Sequence, residues 1–257
     1  MFTKTEERHQ IERRRHETKR RLLTAESVTR LTPKMVRVVF GSPDLDGFVS
    51  AAPDDHIKLF LPDPREPEGR CMRDFTPRAY DAQARRLTID FALHDKGPAT
   101  EWARAAKPGD TLEIGGPRGS AVVPDDFDHY LLVGDETALP AIARRLEELR
   151  ADVPVTAMIV VDGKAEEIPL ETRTNLRLVW VHRDGQHVDD GTLLHYALTT
   201  WRPPAGDGFV WIGAEARVAR RLRNYLVEDR GHPKAWLKAS GYWVRGEAGA
   251  SDKSLES

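Results

Sequence analysis

A chain of 257 residues, 40% hydrophobic and 31% charged, has material for one large core or two ordinary ones and does not read as disordered. Its formal net charge of -2 gives no global preference for nucleic acid or membrane, and the single Cys71 excludes an internal disulfide and a cysteine-ligated zinc or iron–sulfur centre. No run reaches the roughly 20 apolar residues of a spanning helix and no secretory stretch opens the chain, so a cytoplasmic protein is expected.

Residues 1–21 form a basic arm with Arg13, Arg14 and Arg15 in a row. No aromatic residue interleaves with these charges after Phe2, so a solvated helix or frayed arm is expected rather than a nucleic-acid site. Over 22–125 short strands alternate with Pro and Gly turns: MVRVVF (35–40), HIKLFL (56–61), RLTIDFAL (86–93) and DTLEI (110–114). Leu87, Ile89, Phe91 and Leu93 alternate with Arg86, Thr88, Asp90 and Ala92, the period of a half-buried strand. Such strands predict an antiparallel β-barrel whose closure removes the exposed edges.

Over 126–250 the pattern becomes strand, helix, strand. HYLLVG (129–134), VTAMIVVDG (155–163), LRLVWVH (176–182) and FVWIG (209–213) read as buried parallel strands. Helices are expected over 138–150, 192–201 and 215–229, from apolar stripes such as Leu139, Ile142, Leu146 and Leu149. The fold class is thus a β-barrel followed by a doubly wound, mostly parallel α/β sheet of the nucleotide-binding kind, with a frayed polar tail at 251–257.

The stretch RDFTPR (73–78) is too charged for a core strand and too aromatic for a plain edge. It suits a flavin: Arg73 can clamp a phosphate, Phe75 offers a flat face, and Thr76 can reach the ring edge. In HDKGPATEWA, Gly97, Ala99 and Thr100 open a helix whose N–H groups can receive a pyrophosphate. Asp90 and His94 share a polar strand face and can meet a cofactor's sugar or adenine. In the second half, GDETALP (134–140) and WIGAEA (211–216) both lie between strand and helix, where doubly wound sheets bind nucleotides, although neither is a GxGxxG fingerprint.

RDFTPR, DFALH, GPATEWA, GGPRGS, VGDETALPAI, WIGAEA and GYWVRG resemble, in order, the siderophore-interacting proteins, a family of FAD-dependent ferric-siderophore reductases related to the ferredoxin–NADP reductase superfamily. The resemblance implies a flavin-binding signature at Arg73, Phe75 and Thr76, an adenine-side strand at Asp90 and His94, and a pyrophosphate loop at Gly97, Ala99 and Thr100. It places the nicotinamide nucleotide at Gly134, Asp135, Glu136, Thr137 and Ala138, with Gly213, Ala214 and Glu215 as a second wall. Tyr242 and Trp243 match an aromatic pair near the flavin, and Lys58, Arg118 and Arg245 are candidates for a basic triad that holds the anionic iron chelate. Phe75 stands where tyrosine is frequent in the family, and Val244 where an arginine follows the aromatic pair.

The implied activity is hydride transfer from NADPH or NADH to FAD, then single electrons to Fe(III) of a ferric siderophore, releasing ferrous iron. No general acid or base is expected, and no resident metal, nucleic-acid or membrane partner; the protein is expected to be a monomer. Arg183, just past LRLVWVH, can meet a 2′-phosphate or stand as an ordinary surface arginine. Two alternatives remain open at this point: a reductase of the same superfamily acting on free flavin, quinone or a protein partner, and a flavin-free nucleic-acid-binding or regulatory protein.

Overall fold

The structure, a computed structural model, describes residues 8–63, 65–66, 68–94, 96–185, 190–252 and 255. The first seven residues of the basic arm and most of the polar tail lie outside them. The chain divides into two compact units: Arg13–Val122 with Ala143–Arg145, and the described residues up to Glu12 with Val123–Ile142 and Leu146–Ser257. Among the described residues, no helix is long and apolar enough to cross a membrane.

In the first unit β1 (Glu12–Arg15) pairs with β9 (Gly119–Val122). The remaining strands are β2 (Arg20–Thr32), β3 (Met35–Gly41), β4 (Ile57–Pro62), β5 (Arg70–Phe75), β6 (Ala79–Asp81), β7 (Arg86–Ala92) and β8 (Thr111–Gly115). They form one antiparallel sheet in the order β5-β4-β8-β2-β3-β7-β6. Alternating residues Leu23, Val38, Phe40, Leu59, Leu87, Ile89 and Ile114 supply its core. Because the side-chain period is two, a one-residue slip would turn this set to solvent, so the apolar pattern holds the register.

The expected closed barrel is a sheet with two ends among the described residues. β5 and β6 stand at those ends yet are separated in sequence by Thr76–Arg78 alone. The path from Phe75 to Ala79 can span at most about 14 Å. The sheet must therefore curl until its edges nearly meet, and the RDFTPR stretch bridges the seam. Helix α1 (Pro98–Ala105) packs Trp102 against Phe40 and Phe91, with ring centroids 5.9 and 5.5 Å away.

The second unit is a parallel sheet of β10 (His129–Asp135), β11 (Pro154–Val161), β12 (Asn175–His182), β13 (Gly208–Glu215) and β14 (Leu237–Trp243), ordered β12-β11-β10-β13-β14. Every residue of β10 and β13 is buried, as their unbroken apolar runs demand. The helices are α2 (Leu139–Glu148), α3 (Asp190–Thr200) and α4 (Ala216–Asn224). The helix expected over 215–229 is α4 followed by a π turn at Tyr225–Asp229. Strand order reverses between β10 and β13, which makes their carboxyl ends the topological switch point.

The described termini differ from the frayed ends expected. Glu12–Arg15 is a strand rather than a helix, and His9 is buried. Its Nδ1 lies 2.6 Å from Asp126, its Nε2 lies 3.2 Å from Asp207, and its ring stacks on Phe127 at 3.9 Å. At the other end Asp252 exchanges both backbone hydrogen bonds with Gly241, and Leu255 is buried in the apolar cluster of the second unit. In both cases partners more than ten positions away in sequence hold residues that local composition reads as free.

Candidate functional site

β5 delivers Arg73 and Phe75 to the open seam of the curled sheet, where Thr76 follows. Arg73 is half-buried, and its one hydrogen bond among the described residues runs from Nη1 to the Met72 carbonyl at 2.8 Å. Its fork is therefore largely uncommitted. Phe75 packs one side against Phe91, centroids 4.8 Å apart, and keeps partial exposure. The Thr76 residue is 7% exposed, yet its hydroxyl has no partner among the described residues. The hydroxyl is therefore accessible at the seam, where a ligand's edge could take up its hydrogen bond.

Helix α1 packs Ala99 and Trp102 on the same apolar cluster as Phe75. Gly97 caps it at φ 140°, a conformation L side chains rarely adopt, and no side chain caps the first N–H groups. A Cβ on Gly97 would approach the His94 ring to 3.0 Å, so the glycine permits close packing there as well. Thr100 accepts the His94 backbone N–H at 3.2 Å, tying the loop to the helix, and Ala99 packs partly on the core. The helix end thus offers unpaired donors and a partial positive charge to an anion. Together with Arg73 and Thr76, these residues fit the phosphates and ring edge of FAD.

Asp90 departs from its expected role. Its side chain is 2% exposed, and both oxygens accept from Arg37 at 2.7 and 2.8 Å across the β3–β7 pair. Arg78 Nε lies 3.8 Å from the same carboxylate. Asp90 is the counter-charge that holds two arginines, one of them within RDFTPR, rather than a sugar contact. The position of Arg37 opposite Asp90 depends on strand register, which the sequence pattern does not display. His94 remains exposed at the end of that strand path.

In the second unit the switch point collects both predicted nucleotide segments. A Cβ on Gly134 would sit 2.7 Å from Ala138 Cβ and from the Gly213 carbonyl, so only glycine allows this contact between the two strands and the turn before α2. Gly213 and Ala214 are buried beside it, and Thr137 is half-buried. The two carboxylates are turned inward. Asp135 is 1% exposed and accepts from the Thr137 N–H at 2.9 Å, the Glu215 N–H at 3.2 Å and Trp243 Nε1 at 2.8 Å. The Thr137 hydroxyl donates to it too. Burial pushes the Asp135 carboxyl above the ordinary range, against those hydrogen bonds.

Glu215 caps α4 by accepting from Arg217 and Val218 N–H at 2.7 and 3.2 Å, and its other oxygen accepts the Arg245 N–H at 3.2 Å. Asp135 and Glu215 therefore fasten the GYWVR segment onto the strand ends instead of reaching outward for a ligand. Tyr242 lies edge-on to Trp211 at 5.9 Å, and the Arg245 guanidinium stands 6.0 Å from the Trp243 ring.

Arg183 also departs from expectation. Its Nε and Nη2 bind Asp190 at 2.7 and 2.8 Å, its Nη2 and Nη1 bind Glu136 at 2.8 and 3.3 Å, and Nη1 binds Asp162 at 2.9 Å. A guanidinium has five N–H donors, and all five are engaged. A 2′-phosphate would have to displace carboxylates that themselves repel it. Against desolvation, the bonds to Asp190 and Glu136 hold Arg183 above its ordinary value, while burial and the neighbouring Asp135 push Glu136 up to about 7.

The basic candidates differ among themselves. Lys58 pairs with Asp74 across β4 and β5 at 2.8 Å, so it already has a counter-charge. Arg118 and Arg245 are exposed, and neither guanidinium meets a carboxylate among the described residues.

The description "Siderophore-interacting FAD-binding domain" matches residues 24–71 and 66–121, and "Siderophore-interacting protein" matches residues 127–246. An NADPH-dependent ferric-chelate reductase of Escherichia coli (strain K12) is 36% identical over 251 residues, which cover 90% of this chain and 96% of that protein. Among solved structures, a siderophore utilization protein from T. fusca superposes with a TM-score of 0.87 at 40% identity, over 96% of this chain and 99% of the other. The siderophore-interacting protein SipS from Aeromonas hydrophila gives a TM-score of 0.78 at 31% identity, over 91% and 93% of the two chains. With an open phosphate-and-ring site in one unit and a nucleotide switch point in the other, the chain belongs to the siderophore-interacting protein family.

Proposed function

We propose that this chain takes reducing equivalents from NAD(P)H and delivers them to the Fe(III) of a siderophore, so that iron leaves its chelate as ferrous ion. It is an enzyme, an NAD(P)H-dependent ferric-chelate reductase. Bound FAD supplies the conversion of a two-electron hydride into single electrons. The protein's residues hold and orient. Arg73 and the first N–H groups of α1 take the phosphates, Phe75 flanks the ring, and the Thr76 hydroxyl completes a hydrogen bond at its edge. Gly134, Thr137, Ala138, Gly213 and Ala214 shape the nicotinamide-nucleotide site, and Asp135 fixes Trp243 through Nε1. No side chain is assigned as an acid or base.

Ferrous iron is a weaker partner for hard oxygen donors than ferric iron, which drives release after reduction. Arg118 and Arg245 would draw an anionic chelate by a salt-dependent attraction. Lys58 already shares its charge with Asp74. The reading takes the protein to act as a cytoplasmic monomer, independent of nucleic acid.

The observations that carry it are the accessible Thr76 hydroxyl without a partner among the described residues, the open Arg73 fork and the uncapped start of α1, all within one unit. The test is an absorbance spectrum of purified protein, followed by anaerobic titration with NADPH and NADH in the presence of ferric chelates of different charge. Flavin absorbance that bleaches with either donor, and ferrous production that falls with salt for anionic chelates, is expected. A colourless protein, or one that reduces free flavin or quinone but no ferric chelate, would overturn the reading.

A further inference from the structure

One cation occupies a position where the strand pattern calls for an apolar side chain. Alternation along β2 puts Arg21 in the inward series with Leu23 and Ala25, and it is 4% exposed. Its Nε donates to the Asp44 carbonyl at 2.9 Å, and its Nη1 donates to the Gly116 and Lys19 carbonyls at 3.3 and 3.4 Å. Phe48 covers it, with the ring centroid 5.3 Å from the guanidinium carbon. Carbonyl oxygens satisfy N–H groups but do not cancel a charge. Among the described residues no carboxylate forms an ion pair with Arg21, and its Nη2 has no acceptor. The guanidinium thus keeps an open side and an un-neutralised charge, which an anion there would offset.

The guanidinium borders a cavity of about 250 Å³ whose wall also carries Arg15, His16 and Lys19. The one acid among the lining residues is Glu17, which pairs with Lys19 at 3.1 Å. Three permanent cations thus face the cavity against a single carboxylate. The wall is built rather than loose. The His16 N–H donates to the Arg118 carbonyl at 2.9 Å, and its Nε2 lies 2.7 Å from Ser120 Oγ. Ser120 already donates to Asp55 at 2.6 Å, so Nε2 of His16 must be the protonated nitrogen in that bond.

We propose that this cavity binds a compact oxyanion of two or more negative charges, a phosphate or a polycarboxylate, seated on Arg21 and clamped by Arg15 and Lys19. The volume lies just under the range for drug-sized ligands, so a small anion fits and an entire iron chelate does not. The lining shares no residue with the Arg73–Thr76 or Gly97–Thr100 cradle, although its Gly116 and Pro117 directly precede Arg118.

The test is isothermal titration of the flavin-loaded full chain at constant ionic strength with inorganic phosphate, pyrophosphate and citrate, acetate serving as the monovalent comparison. Saturable binding of at least one multivalent anion, and none of acetate, is expected. Preference for the phosphates assigns a phosphate-bearing ligand, and preference for citrate a polycarboxylate. The double substitution Arg15→Gln with Lys19→Gln alters side chains outside the core and should weaken binding by about tenfold or more, with far-UV circular dichroism and flavin absorbance unchanged. Arg21→Met should abolish binding, and if it fails to fold the double variant alone decides. No saturable binding of any multivalent anion at millimolar concentration, or equal affinity in the double variant, would overturn the proposal.

Discussion

Replacing Asp90 by alanine separates a structural carboxylate from a cofactor contact. The wild-type carboxylate is almost wholly buried and is bidentate with Arg37, whose side chain keeps 30% exposure, while Arg78, at 10%, stands beside it. Removing one partner of a buried ion pair costs about 3–5 kcal/mol. Arg37 can regain part of its hydration through its exposed fraction, whereas Arg78 cannot, so the expected loss is about 3 kcal/mol, the low end of that range. The assay is urea denaturation of the flavin-free protein followed by circular dichroism. Arg37→Ala alone and the double variant complete a cycle, in which a coupling of about 1.5 kcal/mol is expected between residues in direct contact. A loss below about 0.5 kcal/mol in the flavin-free protein, within the range of an inconsequential surface change, would refute the reasoning. A fall in FAD affinity in its place would return Asp90 to the sugar contact that the sequence suggests.

Arg183→Ala should destabilise the α/β unit by leaving Glu136, Asp162 and Asp190 without their shared cation, and should change the KM for NADH and NADPH by similar factors; a selective rise for NADPH would show that the fork does read a 2′-phosphate. Glu136 has a folded-state value of about 7 against an ordinary 4.5, so the folded protein binds more protons over that interval and its stability falls as pH rises through it. Glu136→Gln should flatten the dependence of Tm on pH across this window, and an unchanged slope would count against the assignment. Thr76→Val keeps the volume and deletes a hydroxyl that has no partner among the described residues. Flavin-free stability should therefore move by less than about 0.5 kcal/mol, while FAD affinity falls about tenfold and the flavin absorbance shifts; loss of stability with unaltered affinity would place the hydroxyl in the fold instead.

The elements were largely legible because their signals are local. Alternation of Leu87, Ile89 and Phe91 specifies a strand face, and the unbroken apolar runs at 129–134 and 209–213 specify buried parallel strands, whatever lies next to them. Helix α1 follows from Gly97 and Pro98, a boundary written in backbone preference. The RDFTPR stretch stands out for the same reason, since Arg73, Phe75 and Thr76 are neighbours in sequence. The partners of the carboxylates were not legible because they are distant. Asp90 finds Arg37 fifty-three positions away, and Asp135 finds Trp243 one hundred and eight positions away.

The sequence by itself determined the antiparallel strands of one unit and the strand–helix alternation of the parallel sheet in the other, because hydrophobic period and turn chemistry act over a few residues. Tertiary structure alone decided which charges are free to meet a ligand. Strand register gives Asp90 to Arg37, and the switch point gives Asp135 to Trp243. Three carboxylates take up Arg183, and Arg21 is left inside the sheet with carbonyls for company. A charge is available only when folding has brought it no opposite partner, and that depends on the whole chain rather than on the residues beside it.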